Sequence, residues 1–438
     1  MARRRREPET ARIESVTHDG RGIAALNGKK VFVTGALAGE EVRFVRRKSR
    51  RNFDEAELLE VLQASPNRVA ARCAVYGRCG GCAMQHISAD EQRAIKQQAL
   101  ADSLARIGKV EPQHWLKPVT GPDWCYRRRA RLAVKDVAAK GRVLVGFRER
   151  HAPYVTDMHR CEVLAAPMDG LLDNLSELLG GLSIRARIPQ IEVAIAENAV
   201  ALVFRVLDPP NSADEDVLRK FSEEHHLRVY LQPGGLDSIS LLHPDGAQEP
   251  LYYLLPEHDV RIEFEPADFV QVNGDVNRGM VAAAIEQLDP QPGDRTLDLY
   301  CGIGNFSLPL ARLSAEVVGI EVEVTLVARA AANATRNGLT NVAFRCADLA
   351  AIDGSEVWLR EHWDRVLLDP ARSGAAEIVA NMHVLQPQRI VYVSCHPGTL
   401  ARDAGALVNE QGFRLEAAGI IDMFPHTAHV ESIAVFIR

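Results

Sequence analysis

Apolar residues in the first sixty or so positions recur at every second place, in short bursts. Ile13–His18, Gly22–Leu26, Lys30–Val33, Glu41–Val45 and Phe53–Leu62 are the runs concerned, and this period belongs to half-buried strands. Asn27-Gly28 between two of them is a hairpin turn signal. Five short strands of this kind predict a small OB-like β-barrel over residues 1–65. The spacing and the Ala/Gln content of Ala89–Ile107 then predict a helix stopped by Gly108. Tyr126–Val134 and Arg142–Arg148 read as strands joined through the turn Ala138–Gly141, and Glu192–Ile195 with Val200–Phe204 as a second hairpin. A helix over 211–226 and further strands over 229–264 complete an α+β central domain, 66–265, whose helix 89–107 is expected against the C-terminal domain. From 266 to 438 strands and helices alternate, the signature of a parallel, doubly wound Rossmann-like sheet. The fold class expected is therefore multidomain α/β.

Composition adds little to that picture, but charge adds something. The chain of 438 residues is 47% hydrophobic and 25% charged, with a net charge of −6, which is ordinary for a globular protein and no sign of a general polyanion binder. The basic residues are concentrated. Residues 1–65 hold 14 Lys/Arg against 10 Asp/Glu, and residues 121–150 hold 9 against 3, so the rest of the chain is strongly acidic. Arg43, Arg46, Arg47, Lys48, Arg50 and Arg51 form a candidate phosphate clamp, and the basic strand Tyr126–Val134 a second such surface. A solvated charged face is the other reading. No apolar run approaches the ~18 residues of a membrane span. The start Met1-Ala-Arg-Arg-Arg-Arg has no apolar segment behind it. Eight cysteines in such a chain read as free thiols or metal ligands, and the expected compartment is the cytoplasm.

Three stretches carry chemistry. Cys73-Ala-Val-Tyr-Gly-Arg-Cys79-Gly-Gly-Cys82 places three thiols in a loop whose glycines allow tight folding. With Cys161 as the fourth ligand it suits a 4Fe-4S cluster, or zinc; loop thiols without metal are the plain alternative. Arg295–Tyr300 runs into Cys301-Gly302-Ile303-Gly304-Asn305, where glycines let a nucleoside-type ligand approach the backbone. Glu321 ends the next strand and suits ribose hydroxyls, and Asp348 follows the third and suits an adenine edge. Asp369 ends the fourth strand. This pattern looks like a class I S-adenosylmethionine-dependent methyltransferase, with a dehydrogenase of degenerate fingerprint as the alternative. Lastly Val391-Tyr-Val-Ser394 ends in Cys395-His396-Pro397, a thiol at the carboxyl end of a strand. A buried structural cysteine and a nucleophile both fit it.

Asp369-Pro370, Ser394-Cys395-His396-Pro397 and His426-Thr-Ala-His429-Val-Glu431-Ser432 together resemble the RNA uracil-C5 methyltransferase family over essentially the whole chain. The barrel, which resembles a TRAM domain, and the cysteines resemble its 23S ribosomal RNA branch. One departure is His396, where that branch usually has Asn. The resemblance implies methyl transfer from S-adenosylmethionine to C5 of one uridine of 23S rRNA, uracil-1939, by a monomer. It implies Cys395 as the nucleophile adding at C6 and Glu431 as the base for the C5 proton. It also implies Gln271, Tyr300, Asn305, Glu321, Asp348 and Asp369 at the methyl donor. The reaction needs a flipped or single-stranded uridine. The rivals are methylation of another uridine or of cytosine C5, and a non-catalytic RNA-binding protein.

Overall fold

The structure, a computed structural model, describes residues 7–352 and 354–438. It forms two compact units, each built from separated stretches of chain. The first comprises residues up to Ala99, with Phe147–Thr156 and Phe424–His429. The second comprises Leu100–Gly146, Asp157–Met423 and Val430–Arg438. These units cut across the expected boundaries at 65 and 265.

In the first unit, β1 (Glu9–Arg12), β2 (Ser15–Val16), β3 (Arg21–Leu26), β4 (Lys29–Thr34), β5 (Glu41–Ser49) and β6 (Phe53–Gln63) form a sheet in the order β1-β5-β6-β4-β3-β2. The two ends of this sheet are neighbouring stretches of one strand. Ile13 N donates to Glu40 O at 2.8 Å on one side and Glu14 N to Ile23 O at 2.8 Å on the other, so the sheet closes barrel-like on itself. Alternate residues Ala24, Val31, Val33, Val42 and Phe44 fill the interior with Ile13, as the period of two requires. Asn27 and Gly28 both take positive φ (53° and 75°) in the β3–β4 turn, the conformation an Asn-Gly hairpin needs. The first strand starts earlier than the sequence suggests, at Glu9.

Buried Glu40 explains why the chain beyond the barrel stays with it. Its carboxylate accepts from Leu37 N (2.8 Å), Ser65 N (3.2 Å) and the Arg68 guanidinium (2.7 Å to Nη2). Burial pushes this carboxyl up, but Arg68 and the two amides outweigh burial and leave it below its ordinary range. The distant segments dock by backbone bonds. Gly80 N donates to Arg148 O (2.8 Å), and Ala83 N and Met84 N to His426 O (2.8 and 3.0 Å). Helix α1 (Ala89–Ser103) begins in this unit, and its Gln92 side chain accepts from His426 N at 2.8 Å.

In the second unit, α1 ends in one wide π-helical turn, Leu104–Gly108, where an unbroken helix to Ile107 is expected. The physical cause is close packing, because a Cβ on Gly108 would collide with the Ala401 carbonyl. After β7 (His114–Trp115) come β8 (Arg129–Val137), β9 (Arg142–Gly146), α2 (Leu172–Gly181), β10 (Gln190–Ile195), β11 (Val200–Arg205), α3 (Ser212–His225), β12 (Leu227–Gln232) and β13 (Ser240–His243). They make a sheet ordered β13-β12-β11-β10-β8-β9 with both expected hairpins in it. The hairpin β14 (Leu251–Leu255) and β15 (Val260–Phe264) follows.

The rest is α/β. It consists of α4 (Gly274–Leu288), β16 (Arg295–Leu299), α5 (Ser307–Ala311), β17 (Glu316–Glu321), α6 (Val324–Arg336), β18 (Val342–Cys346) and β19 (Arg365–Leu368). Then come α7 (Ala376–Ala380), α8 (Met382–Leu385), β20 (Arg389–Ser394), α9 (Pro397–Asn409), β21 (Arg414–Ile421) and β22 (Glu431–Ile437). The sheet order is β18-β17-β16-β19-β20-β22-β21-β7. The strands from β16 to β20 are parallel, as expected. β22 runs antiparallel to both β20 and β21, so the sheet is mixed at this end. Sheet order reverses between β16 and β19, which opens a crevice at their carboxyl ends. Among the described residues no helix is long and apolar enough to cross a membrane.

Candidate active site and thiol loop

The turn after β16 carries the first half of the site. Tyr300, Gly302 and Gly304 all have positive φ (67°, 56° and 96°), a course glycine tolerates and tyrosine holds only under constraint. Gly302 N donates to Glu321 Oε2 at 3.1 Å, and Val322 N donates to Glu321 Oε1 at 2.8 Å. Backbone amides thus orient the carboxylate at the end of β17. Asp348 is exposed after β18 and is turned by a bond from Ala350 N (2.9 Å). Burial pushes the Tyr300 hydroxyl well above its ordinary range, with the carboxylates of Glu377, Asp403, Asp348 and Glu321 adding to it.

Asp298, on β16 itself, belongs to this group and is missed by the sequence reading. It is fully buried, accepts the Ser307 hydroxyl through Oδ2, and has no hydrogen-bond partner at Oδ1 among the described residues. Burial raises its carboxyl to about 7 despite Ser307, with the charges of Asp369 and Glu321 contributing. Asn305 and Gln271 lie towards α4 and β14. Asn305 exchanges two amide bonds with Asn277 of α4 (3.0 and 3.1 Å) and accepts Tyr253 Oη–H at 2.9 Å. Gln271 lines a cleft with Arg128, Glu197, Tyr253, Asn277 and Arg278. Asn305 is thus a bracket between the glycine turn and α4.

The thiol carries the second half. Cys395 stands between the end of β20 and the first turn of α9, half-buried. Burial raises its thiol, and the carboxylates of Glu431 (the first residue of β22) and Asp369 raise it further, while Arg372 pulls it down. Asp369 is itself pushed to about 7 by burial. A thiol, two carboxyls and a guanidinium therefore converge at the crevice, within electrostatic reach of the glycine turn through Asp298. This arrangement can add a thiolate to an electrophile and then take up a proton.

The thiol loop is in the first unit. Cys79 is buried, and Cys73 and Cys82 are half-buried. Gly81 N donates to Cys79 Sγ at 3.4 Å. Burial raises the Cys79 thiol, and Cys73 is near enough to raise it further. Soft donors with an amide aimed at sulfur suit a thiolate-held group. Among the described residues, however, no group of three or more His, Cys, Asp or Glu side chains stands in metal-holding geometry. Cys161, buried in the second unit, donates its amide to Asp169 O at 3.1 Å.

The expected phosphate clamps are narrower than the sequence implies. Register on β5–β6 sets arginines opposite acids, so Arg43 pairs with Glu60, Arg47 with Glu57, Lys48 with Glu55, and Arg46 with Glu9 and Asp54. Burial would raise Asp54, but Lys29, Ser49 and Arg46 hold it at about 2. Only Arg50 and Arg51 of the six stand in the exposed β5–β6 turn. On β8 and the residues before it, Arg128 pairs with Glu197, Arg131 with Glu192, and Arg129 donates to Pro266 O and Asp268 O.

A parallel sheet of this order with an antiparallel strand inserted beside its last parallel one, a glycine turn answered by acids on the next two strands, and a thiol at the crevice define a class I S-adenosylmethionine-dependent methyltransferase. The profile of the tRNA (uracil-5-)-methyltransferase family matches residues 248–438. The chain is 51% identical to the 23S rRNA (uracil(1939)-C(5))-methyltransferase RlmD of Alkalilimnicola ehrlichii, covering 100% of this chain and 99% of that one. It is 50% identical to the protein of the same name from Methylococcus capsulatus, covering 99% and 97%. The crystal structure of Pyrococcus abyssi tRNA (uracil-54, C5)-methyltransferase with S-adenosyl-L-homocysteine shares the fold, with a TM-score of 0.75 at 23% identity over 98% of this chain and 100% of that one. The chain belongs to the 23S rRNA (uracil-C5)-methyltransferase family.

Proposed function

We propose that this protein methylates C5 of a uridine in 23S rRNA, the position its relatives' name gives as 1939, yielding 5-methyluridine. The observation that carries the reading is the sheet order β19-β20-β22, in which Cys395 follows the end of β20, Asp369 the end of β19, and Glu431 opens β22. Bound S-adenosylmethionine supplies an electrophilic methyl group. Uracil C5 is too electron-poor to attack it unaided, so the Cys395 thiolate adds to C6 and makes C5 nucleophilic. Once C5 carries the methyl, Glu431 takes the C5 proton, the C6–S bond breaks with the electron pair returning to sulfur, and the ring regains its double bond. Asp369, held near neutrality, can present either a proton or a lone pair to the N3/O4 edge, which separates uracil from cytosine. Gln271, Tyr300, Glu321, Asp348 and Asp369 surround the methyl donor, with Asn305 bracing the turn. The barrel and Arg50/Arg51 hold RNA around the extruded base.

The cysteines Cys73, Cys79, Cys82 and Cys161 hold a 4Fe-4S cluster, a reading that rests on the donor set and the sequence resemblance. None of the steps above needs its electrons, so its part is in folding or in RNA binding. The protein works as a cytoplasmic monomer.

Tritium release tests the reading. Unmodified 23S RNA labelled at uridine C5 is mixed with the protein and S-adenosylmethionine. Release matched to methyl incorporation is expected. Methyl incorporation without release moves the reaction to another atom, 5-methylcytidine in the product moves it to cytosine, and RNA binding with neither signal makes the protein a non-catalytic binder.

A further inference from the structure

The mechanism above leaves one buried carboxylate unexplained. Asp403, on α9, is 1% exposed and ties together three separate elements. Its Oδ2 accepts the Tyr392 hydroxyl of β20 at 2.7 Å and the Ala375 amide at 2.9 Å. Its Oδ1 accepts Arg402 Nε at 2.8 Å, and Arg402 Nη2 in turn donates to Ser373 O at 3.0 Å. Thr399, one turn nearer the N-terminus of α9, donates its hydroxyl to Arg372 O at 3.2 Å. Consecutive turns of one helix thus grip Arg372, Ser373 and Ala375. Gly374, between them, has φ of 80°, and a Cβ there would come within 2.7 Å of Asp403 Oδ2 and 2.6 Å of Arg402 Nη2. The loop is clamped so closely that only glycine passes beneath the carboxylate.

This loop follows directly on Asp369-Pro370 and contains Arg372. The helix that grips it starts two residues after Cys395. The thiol and its charged neighbours are therefore mounted on the two sides of one clamp. We propose that Asp403 is a positioning residue for the reaction, fixing the Arg372–Ala375 loop and so the placement of Asp369 and Arg372 against the Cys395 thiol. The proposal rests on Cys395 being the nucleophile. A buried carboxylate with three N–H or O–H donors around it is costly to build unless all are satisfied, and here each donor comes from, or is relayed to, an element of the site.

The test uses the full-length protein and two readouts. The first is the pH dependence of iodoacetamide alkylation at Cys395, followed on its own peptide by mass spectrometry, which requires no turnover. The charged groups felt by that thiol are Glu431, Asp369 and Arg372. The second is kcat and KM on 23S RNA. Asp403→Asn removes the charge and leaves a donor facing one of the present donors. The loop is then released, and Arg372 no longer offsets the two carboxylates. The alkylation midpoint is expected to move to higher pH by about half a unit or more, and kcat to fall about tenfold with KM changed less than about threefold. Arg402→Ala, at a half-exposed position, cuts the Ser373 link and the guanidinium's bond to Asp403 Oδ1, and leaves Tyr392 and Ala375 on Oδ2. It should move both readouts in the same direction by less, and it carries the test if Asp403→Asn does not fold. A lowered melting temperature with the alkylation midpoint and kcat unchanged in the folded variant would make Asp403 merely structural and overturn the proposal. Normal methylation by Cys395→Ala would instead overturn the nucleophile assignment, while the alkylation readout would still report on the clamp.

Discussion

His396 Nδ1 accepts the Thr399 amide at 3.2 Å, which makes the residue after Cys395 the N-cap of α9. Pro397 at the first helical position completes the start of the helix. Asn, which the family resemblance gives at this position, offers an acceptor at similar reach. His396→Asn is therefore expected to keep the melting temperature and turnover near those of the parent. His396→Ala should lose about 1 kcal/mol of stability in denaturant unfolding. Equal stability of all three proteins would show that the cap contributes nothing.

Cys395 and Glu431 separate by step. Cys395→Ala should bind S-adenosylmethionine in equilibrium dialysis and transfer no methyl. For Glu431→Gln the sign follows from the thiol. Burial, Glu431 and Asp369 together raise it, so thiolate appears only as pH climbs above the ordinary thiol range. Removing the Glu431 charge brings its appearance to lower pH. Glu431→Gln should therefore alkylate faster at neutral pH yet stall after methyl transfer, leaving a covalent RNA adduct visible on a denaturing gel. A variant that turns over normally without adduct would move the proton to another base.

Asp298 binds its proton more tightly folded than unfolded, with a folded value of about 7 against 3.8. Its contribution to stability is therefore full below pH ~4 and is lost as pH rises through about 7. Asp298→Asn should gain melting temperature relative to the parent at pH 8 and little at pH 5. Its affinity for S-adenosylmethionine should fall, about tenfold, if the buried Oδ1 serves the ligand. Unchanged affinity in a folded variant would leave Asp298 a structural group.

Ion pairing predicts different outcomes for arginines close together in sequence. Arg50→Ala with Arg51→Ala should weaken RNA binding and reduce the slope of log affinity against log salt by about 2, with the fold intact. Arg46→Ala should instead cost about 2 kcal/mol, because Asp54 is 1% exposed and loses one of its two cationic partners. Filter binding across a salt series and thermal melts separate the two.

The cluster is decided by analysis of protein purified without oxygen. Iron and inorganic sulfide in equal amounts are expected, with loss of both in Cys79→Ser. Stoichiometric zinc without iron would overturn the assignment.

Local periodicity made most of these elements legible. Strand alternation reveals the barrel because neighbouring residues alone decide which face is buried, and the glycine turn is legible because few other sequences can take its backbone course. Three things were hidden for a physical reason. Asp298 sits between Leu297 and Leu299 and so reads as an ordinary polar phase of a strand, whereas its burial is set by a sheet and helices far along the chain. The pairing of Arg43, Arg46 and Arg47 depends on β5–β6 register, which no single strand encodes. The insertion of β22 between β20 and β21 is a matter of sheet order, and nothing in Glu431–Ile437 specifies its neighbours.

That insertion bears on biosynthesis. β22 leaves the ribosome after β20 and β21 yet must lie between them, so β21 cannot settle in its final place before β22 arrives. Because Glu431 is the first residue of β22, the proposed roles have a nascent chain display its nucleophile, Cys395, before its base. On those roles such a chain lacks the base that product release requires until β22 is threaded between β20 and β21.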